Sequence, residues 1–194
     1  FIKKNKSDAV VFSDFRHGIF HKSSIPILVK SIPKGKFKVA DSQVATRWGN
    51  INDFKNFDLV TPTEKEVRFS LADQDSNLSR LAEILKKGNG YNNLILKSGK
   101  MGIFCVGEGS QKNSENEIVA FALPSLVGTV VDPVGAGDAL LSYATLTLLE
   151  TKSLLIAGIV GSMAAAIKCE KDGNNPVTIE EMNGKIDRLE KIAK

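Results

Sequence analysis

Apolar positions along this chain follow two alternating rhythms, one of short unbroken runs and one of helical spacing. Ala9-Val10-Val11-Phe12 is a continuous apolar run of the kind a central parallel strand needs. Between residues 21 and 32, Ile25, Leu28, Val29 and Ile32 recur at helical spacing, and Pro26 lies near the start, where proline is tolerated. Phe37-Lys38-Val39-Ala40-Asp41 predicts a second strand and Phe57-Asp58-Leu59-Val60-Thr61 a third, with Pro62 presetting a helix start behind it. Residues 76–87 place Leu78, Leu81, Ala82 and Leu85 on one helical face that Gly88 and Gly90 bring to a stop. Asn93–Lys97 predicts a fourth strand, and Ile103–Val106 with Ile118–Leu123 a hairpin around the polar loop 107–117. The β-branched stretch Leu126–Val131 predicts one more strand before two apolar helices over about 136–150 and 153–169. A last helix carries Ile179, Met182, Ile186, Leu189 and Ile192, a stripe that reads as core packing.

Strands alternating with helices to about residue 100 imply an α/β fold with a doubly wound, mostly parallel, Rossmann-like sheet. At 194 residues the chain can bury one good core, so residues 1–194 are expected to form a single domain. The net charge of +4 is spread along the chain. Lys3-Lys4-Asn5-Lys6 is the only basic cluster, and no basic run is interleaved with stacking aromatics, which argues against a nucleic-acid partner. The most apolar run, Leu154 to Ile167, is shorter than the roughly 20 residues a bilayer span needs, so a buried helix is preferred and no membrane partner is expected. There is no signal-peptide pattern. Cys105 and Cys169 sit in an apolar strand and an apolar helix, as reduced core thiols of a cytoplasmic protein would. Because residue 1 is Phe1 and not Met, the chain is expected to be a piece of something longer.

Candidate chemistry concentrates in Asp132-Pro133-Val134-Gly135-Ala136-Gly137-Asp138. A glycine turn opening a helix makes an anion site, because the first helical amides lack internal partners and carry the positive end of the dipole. Gly135 and Gly137 would let a ligand approach the backbone and would adopt dihedrals a Cβ forbids, while Asp138 in the first turn could accept a proton. The bland alternative is a turn and a helix cap, and spacing alone leaves the two readings even. A dinucleotide fingerprint would need glycine where Leu140 stands, and no Gly-x4-Gly-Lys-Ser/Thr occurs. Asp14 and Asp41 end their strands, where open α/β sheets bind ligands, so Asp14 is a candidate substrate contact. His17 and His21 with Asp14 invite a metal reading, but Gly18 breaks any helix between the histidines and no third ligand follows at zinc-like spacing. Trp48 reads as a half-buried aromatic under a loop. Thr63 and Glu66 have the spacing of a capping box, the better reading from spacing alone.

Asp132–Asp138 followed by Ala139-Leu140 resembles the C-terminal signature of the ribokinase-type (PfkB) carbohydrate kinases. That resemblance implies an anion hole for the transferring phosphoryl group at Gly135, Ala136 and Gly137, with Asp138 as catalytic base. Pro133 stands where the family usually has Thr, Leu140 where it has Phe, and Tyr143 where it has a small residue. Thr61-Pro62-Thr63-x-x-Glu66 is similar to the family's Thr-Pro-Asn-x-x-Glu, which organises magnesium and its water; Glu66 matches and Thr63 replaces the Asn. Lys97-Ser98-Gly99-Lys100-Met101-Gly102 resembles the family's Thr-x-Gly-x-x-Gly near the nucleotide phosphates. It keeps Gly99 and Gly102 and places Lys97 in the Thr position, although a tight hairpin would also want both glycines. With Asp41, these landmarks fall in family order over nearly the whole chain. Ser13-Asp14-Phe15-x-x-Gly18 further resembles the Ser-Asp-Tyr-x-x-Gly of heptose 7-phosphate kinases, the kinase module of ADP-heptose synthases.

The family membership so implied would make the protein an ATP- and Mg²⁺-dependent kinase of a sugar or sugar phosphate. The resemblance also implies that the early strands, the lid and the sugar-holding glycine pair precede Phe1. These residues alone would then bind nucleotide weakly and transfer nothing, and the sheet edge left open would favour a homodimer. A non-catalytic nucleotide-binding or scaffolding module of the same fold stays open, as does a dinucleotide-binding oxidoreductase domain, against which the missing third glycine argues.

Overall fold

The computed structural model describes residues 6–43, 50–108, 118–173 and 175–193. Lys3 to Asn5, Trp48, most of the loop between the predicted hairpin strands and the side chain of Ile192 lie outside the described residues. Two compact units emerge, one of residues 1–98 and 104–121, the other of residues 99–103 and 122–194.

The first unit holds all but the end residues of a sheet of strands β1 (Ala9–Asp14), β2 (Phe37–Ser42), β3 (Leu59–Val60), β4 (Asn93–Lys97), β5 (Ile103–Glu108) and β6 (Ile118–Leu123), hydrogen-bonded in that order. β1 through β4 pair in parallel, with Val11 opposite Val39, Val39 opposite Leu59 and Val60 opposite Leu94. Parallel strands buried on both faces need continuous apolar runs, and Val39, Leu59, Val60, Leu94, Ile95 and Leu96 are all fully buried. Helix α1 (Ser24–Ser31) lies between β1 and β2, and helices α2 (Glu64–Leu71) and α3 (Leu78–Asn89) lie between β3 and β4. The third strand is shorter than its predicted five residues, yet its hydrogen bonding runs on: the Asp58 amide donates to Lys38 O at 2.9 Å and the Thr61 amide to Ala40 O at 3.2 Å.

Beside the sheet, Phe12, Phe20, Phe54 and Phe57 interlock. Phe12–Phe57 and Phe54–Phe57 meet edge to face at centroid distances of 5.3 and 5.6 Å, a geometry the ring quadrupoles favour. Tyr91 is buried among apolar neighbours with its hydroxyl donating to Ile51 O at 2.6 Å, and burial pushes its pKa up.

The second unit packs helix α4 (Ala136–Thr151) against α5 (Leu154–Cys169), with α6 (Ile179–Ala193) on α5. Small residues set the α4–α5 distance: a Cβ on Gly161 would stand 3.1 Å from both Ala144 Cβ and Leu140 O. Met182 of α6 is buried against Met163 and Ile167, and Leu189 packs on the same cluster. Ile179 and Ile186 are exposed, so the predicted apolar stripe of α6 is only partly core. No helix among the described residues is long and apolar enough to cross a membrane.

Leu126–Val131 is not a strand. Val130 and Val131 are exposed, and amides of this segment go to the end of α5 and the residue beyond it: Val131 and Asp132 donate to Cys169 O at 2.7 and 3.1 Å, and Gly128 donates to the Glu170 carboxylate at 2.8 Å. Gly128, Thr129 and Val131 stand in bends, and a ladder partner is what the segment lacks among the described residues, so its β-branched composition does not make it a strand.

Candidate active site

In the second unit the Gly135 turn has the backbone its sequence demands. Gly135 caps α4 with φ +81° and ψ −2°, a left-handed conformation in which a Cβ is disfavoured. Gly137 lies inside the first helical turn without positive φ, so of the two expected special conformations only Gly135 takes one. The turn before it is closed by Asp132, whose carboxylate accepts from the Val134 amide at 2.9 Å, and by the Pro133 carbonyl, which accepts from Ala136 at 3.2 Å. Asp138 follows as the acidic residue of the first turn, where the helix dipole favours its charge.

A cavity of about 290 Å³ opens here, lined by Gly135, Asp138, Ser142, Tyr143, Lys168 and the segment 175–177. Tyr143, one of the departures from the family pattern, forms part of its wall: its hydroxyl donates to Val177 O at 2.8 Å and its ring packs on the α5–α6 cluster. Lys168 is 3% exposed and its ammonium donates to Gly173 O at 2.8 Å. In the sequence Lys168 directly follows the apolar run Leu154 to Ile167 and looks like its polar boundary. Its spacing from Gly161 and Ala164, seven and four residues on, is the signal that it shares their buried face.

The first unit gathers the other candidates at the carboxyl ends of its strands. Asp14 is 2% exposed, and its carboxylate accepts from Ser42 Oγ at 3.0 Å, from the Arg16 amide at 2.9 Å and from the Arg16 guanidinium. Ser42 and Arg16 had no signal of their own in the sequence beyond standing near strand ends. Lys97 donates to both carboxylate oxygens of Asp41 at 3.1 Å. Glu66 is 8% exposed and closes a capping box: the Thr63 amide donates to Glu66 Oε2 at 2.6 Å and the Glu66 amide to Thr63 Oγ1 at 3.3 Å. Burial raises the Glu66 pKa above its usual value, while the Thr63 amide and the Lys97 charge pull it down. The Thr61 hydroxyl, also buried, has no hydrogen-bond partner among the described residues.

A magnesium ion held through one carboxylate, keeping its own waters, suits this arrangement better than an all-protein cage. No group of three or more His, Cys, Asp or Glu that could hold a metal occurs among the described residues, whereas Glu66 is a single desolvated carboxylate that a cation would stabilise. His21 belongs to a local turn, its ring Nδ1 lying 2.9 Å from Ser23 Oγ.

The remaining glycine pair lies in the second unit. Gly102 has φ +96°, its amide donates to Gly99 O at 3.0 Å, and a Cβ there would collide with Leu123 O and the Pro124–Ser125 backbone. Close packing against 123–125 therefore accounts for Gly102 without a ligand, while a Cβ on Gly99 would meet nothing within 4 Å.

The bifunctional protein HldE of Helicobacter pylori is 27% identical to this chain over 193 residues, covering 93% of it but 37% of that protein. The ribokinase of Thermotoga maritima superposes with a TM-score of 0.72 at 22% identity, over 93% of this chain and 57% of its own. The Arabidopsis thaliana ribokinase solved with ribose and ATP does so with a TM-score of 0.72 at 17% identity, over 93% and 56%. The fold is thus ribokinase-like, and the chain spans about two fifths of its curated relative and somewhat over half of each solved one. The model of the pfkB family carbohydrate kinases matches residues 30–181, more than half of the sequence, and the chain belongs to that family.

Proposed function

We propose that this chain supplies the nucleotide-binding and catalytic part of a protein that carries out ATP-dependent phosphoryl transfer to a hydroxyl of a sugar or sugar phosphate. The observation that carries the reading is Asp138 in the first turn of α4, behind the left-handed Gly135, with both residues lining one cavity. Family membership and the ribose and ATP held by the Arabidopsis relative support the substrate classes. The resemblance of Ser13-Asp14-Phe15-x-x-Gly18 to the motif of heptose 7-phosphate kinases favours a heptose phosphate as acceptor and Asp14 as its contact.

In this reading Asp138 takes the proton of the attacking hydroxyl. A new O–P bond forms as the bond between the γ-phosphorus and the ADP oxygen breaks, and the Gly135–Gly137 backbone absorbs charge on the transferring group. A magnesium ion, held with the help of Glu66, would neutralise phosphate charge. Lys97, Gly99 and Gly102 are assigned to the nucleotide side.

Asp138→Asn in the complete protein, with whatever precedes residue 1 included, keeps the shape of the side chain but is a far weaker base. Phosphoryl transfer should fall by at least ~10²-fold while ADP affinity, measured by calorimetry, changes little. Full activity in that variant refutes the assignment. One feature favours the second reading, a non-catalytic nucleotide-binding module: Lys97 and Glu66 are already engaged, in the Asp41 pair and the capping box. Nucleotide binding without magnesium-dependent turnover would select it.

A further inference from the structure

Three lysines surround the end of α5 and the start of α6, and their surroundings differ. Lys171 pairs with Glu181, and Lys185 with Glu170 at 2.7 Å. Lys168 is more deeply buried than Lys171, yet among the described residues its ammonium has no ion pair, only the Gly173 carbonyl. An ammonium has three donors and no acceptor, and withdrawing it from water without a counter-charge is costly. This one lines the cavity that also holds Asp138 and the Gly135 end of α4. In that wall it adds a full positive charge to the partial positive charge of the helix start. Asp138 contributes the opposing charge, so an anion in the cavity must be one that gains from both the ammonium and the amides.

We propose that Lys168 is an anion-binding residue of this cavity, and that its ligand is a phosphate group of the bound nucleotide. The assignment rests on the kinase reading above for the nucleotide, but on the cavity and the buried ammonium for the anion. Bound phosphate completes the donor set of Lys168, while the Gly173 bond keeps the side chain aimed before the ligand arrives. A lysine presents a compact point charge suited to phosphate oxygens whose orientation changes during transfer.

The test compares the full chain with Lys168→Gln, which keeps a donor for Gly173 O and loses the charge, and with Lys168→Arg, which keeps the charge. ADP, adenosine and inorganic phosphate are titrated by calorimetry at several salt concentrations, with thermal melts registering the fold. ADP and phosphate affinity should fall at least tenfold in Lys168→Gln and recover in part in Lys168→Arg, with adenosine affinity unchanged. Salt should weaken ADP binding less steeply in the Gln variant. Equal loss for adenosine and ADP, or none for either, overturns the proposal. So does failure of both Lys168→Gln and Lys168→Met to fold, since the charge would then serve the structure. A wild-type chain that binds phosphate through Lys168 but no ADP would sink the kinase reading and leave the anion site standing. A chain that binds neither refutes both.

Discussion

Lys97 and Asp41 join the carboxyl ends of β4 and β2 by a two-pronged ion pair, the ammonium donating to each carboxylate oxygen at 3.1 Å. Both side chains are largely buried, at 15% and 6% exposure, so the charges are taken from water together. Removing one partner leaves the other uncompensated. Lys97→Met should therefore cost about 3–5 kcal/mol in urea denaturation, and the double change Lys97→Met with Asp41→Asn should recover much of that. A single-variant loss below about 1 kcal/mol would mean the pair is hydrated and screened like a surface bridge.

Glu66 gives a pH dependence of defined sign. Burial is the largest influence and raises its carboxyl pKa above 4.5, so the folded state holds the proton more tightly than the unfolded one. The resulting stabilisation is complete below pH 4.5 and is lost as pH rises through the folded-state value. In chelator-treated protein, Glu66→Gln removes that dependence while leaving an oxygen to accept from Thr63. The stability of Glu66→Gln relative to the parent should then climb with pH across this window and level off above it. Urea melts over a pH series decide it, and a difference that shrinks as pH rises contradicts the direction.

What the sequence made legible was periodicity. Ala9–Phe12, Phe37–Asp41 and Asn93–Lys97 lie within or coincide with strands, and Thr63 with Glu66 forms the capping box that their spacing announced. Leu126–Val131 misled because β-branched composition describes a conformation, whereas a strand also needs a neighbour, and Cys169 and Glu170 take hydrogen bonds from this segment. Gly102 and Gly99 look alike in a motif, but only Gly102 has backbone against its Cβ position. Lys168 and Ser42 went unread because each acquires its role from a residue that only folding brings near: five residues on for Lys168, twenty-eight back for Ser42.

Both thiols should be silent in the native state. Cys105 is fully buried in β5, and burial pushes its pKa up to about 12; Cys169, at the end of α5, is shifted in the same direction. The thiolate is the reactive form, and at pH 8 Cys105 would present roughly one part in 10⁴ of it. Iodoacetamide should label neither residue in the folded chain and both in denaturant, as mass spectrometry would show. Rapid native labelling of Cys105 would place it in a part of the fold that opens readily.

Gly135 should be intolerant of any side chain, independently of ligand. At φ +81° an L-residue is strained, so Gly135→Ala should lose about 1–2 kcal/mol of stability or shift the start of α4. Gly137, with ordinary helical backbone, should accept alanine at no such cost, because alanine has the higher helix propensity. Thermal melts of the two variants form a matched pair, and equal destabilisation would show that the turn is not held in the left-handed form.

Tyr143 separates the stability of the cavity wall from its shape. Its ring packs on the cluster of Met163, Ile167 and Met182, and its hydroxyl donates to Val177 O at 2.8 Å. Tyr143→Phe keeps the ring and removes one hydrogen bond, worth about 0.5–1.5 kcal/mol net, at a carbonyl that water can then solvate. Tyr143→Ala removes the packing as well and should cost about 3 kcal/mol or more, with the larger loss reflecting the space left behind. The two also differ in what they do to segment 175–177. Without the hydroxyl, that segment loses its tie to α4, so amide exchange there should speed up in Tyr143→Phe while the centre of α4 stays protected. Uniform acceleration across α4 and α5 would instead mean that the hydroxyl supports the whole helical unit and not the wall of the cavity alone.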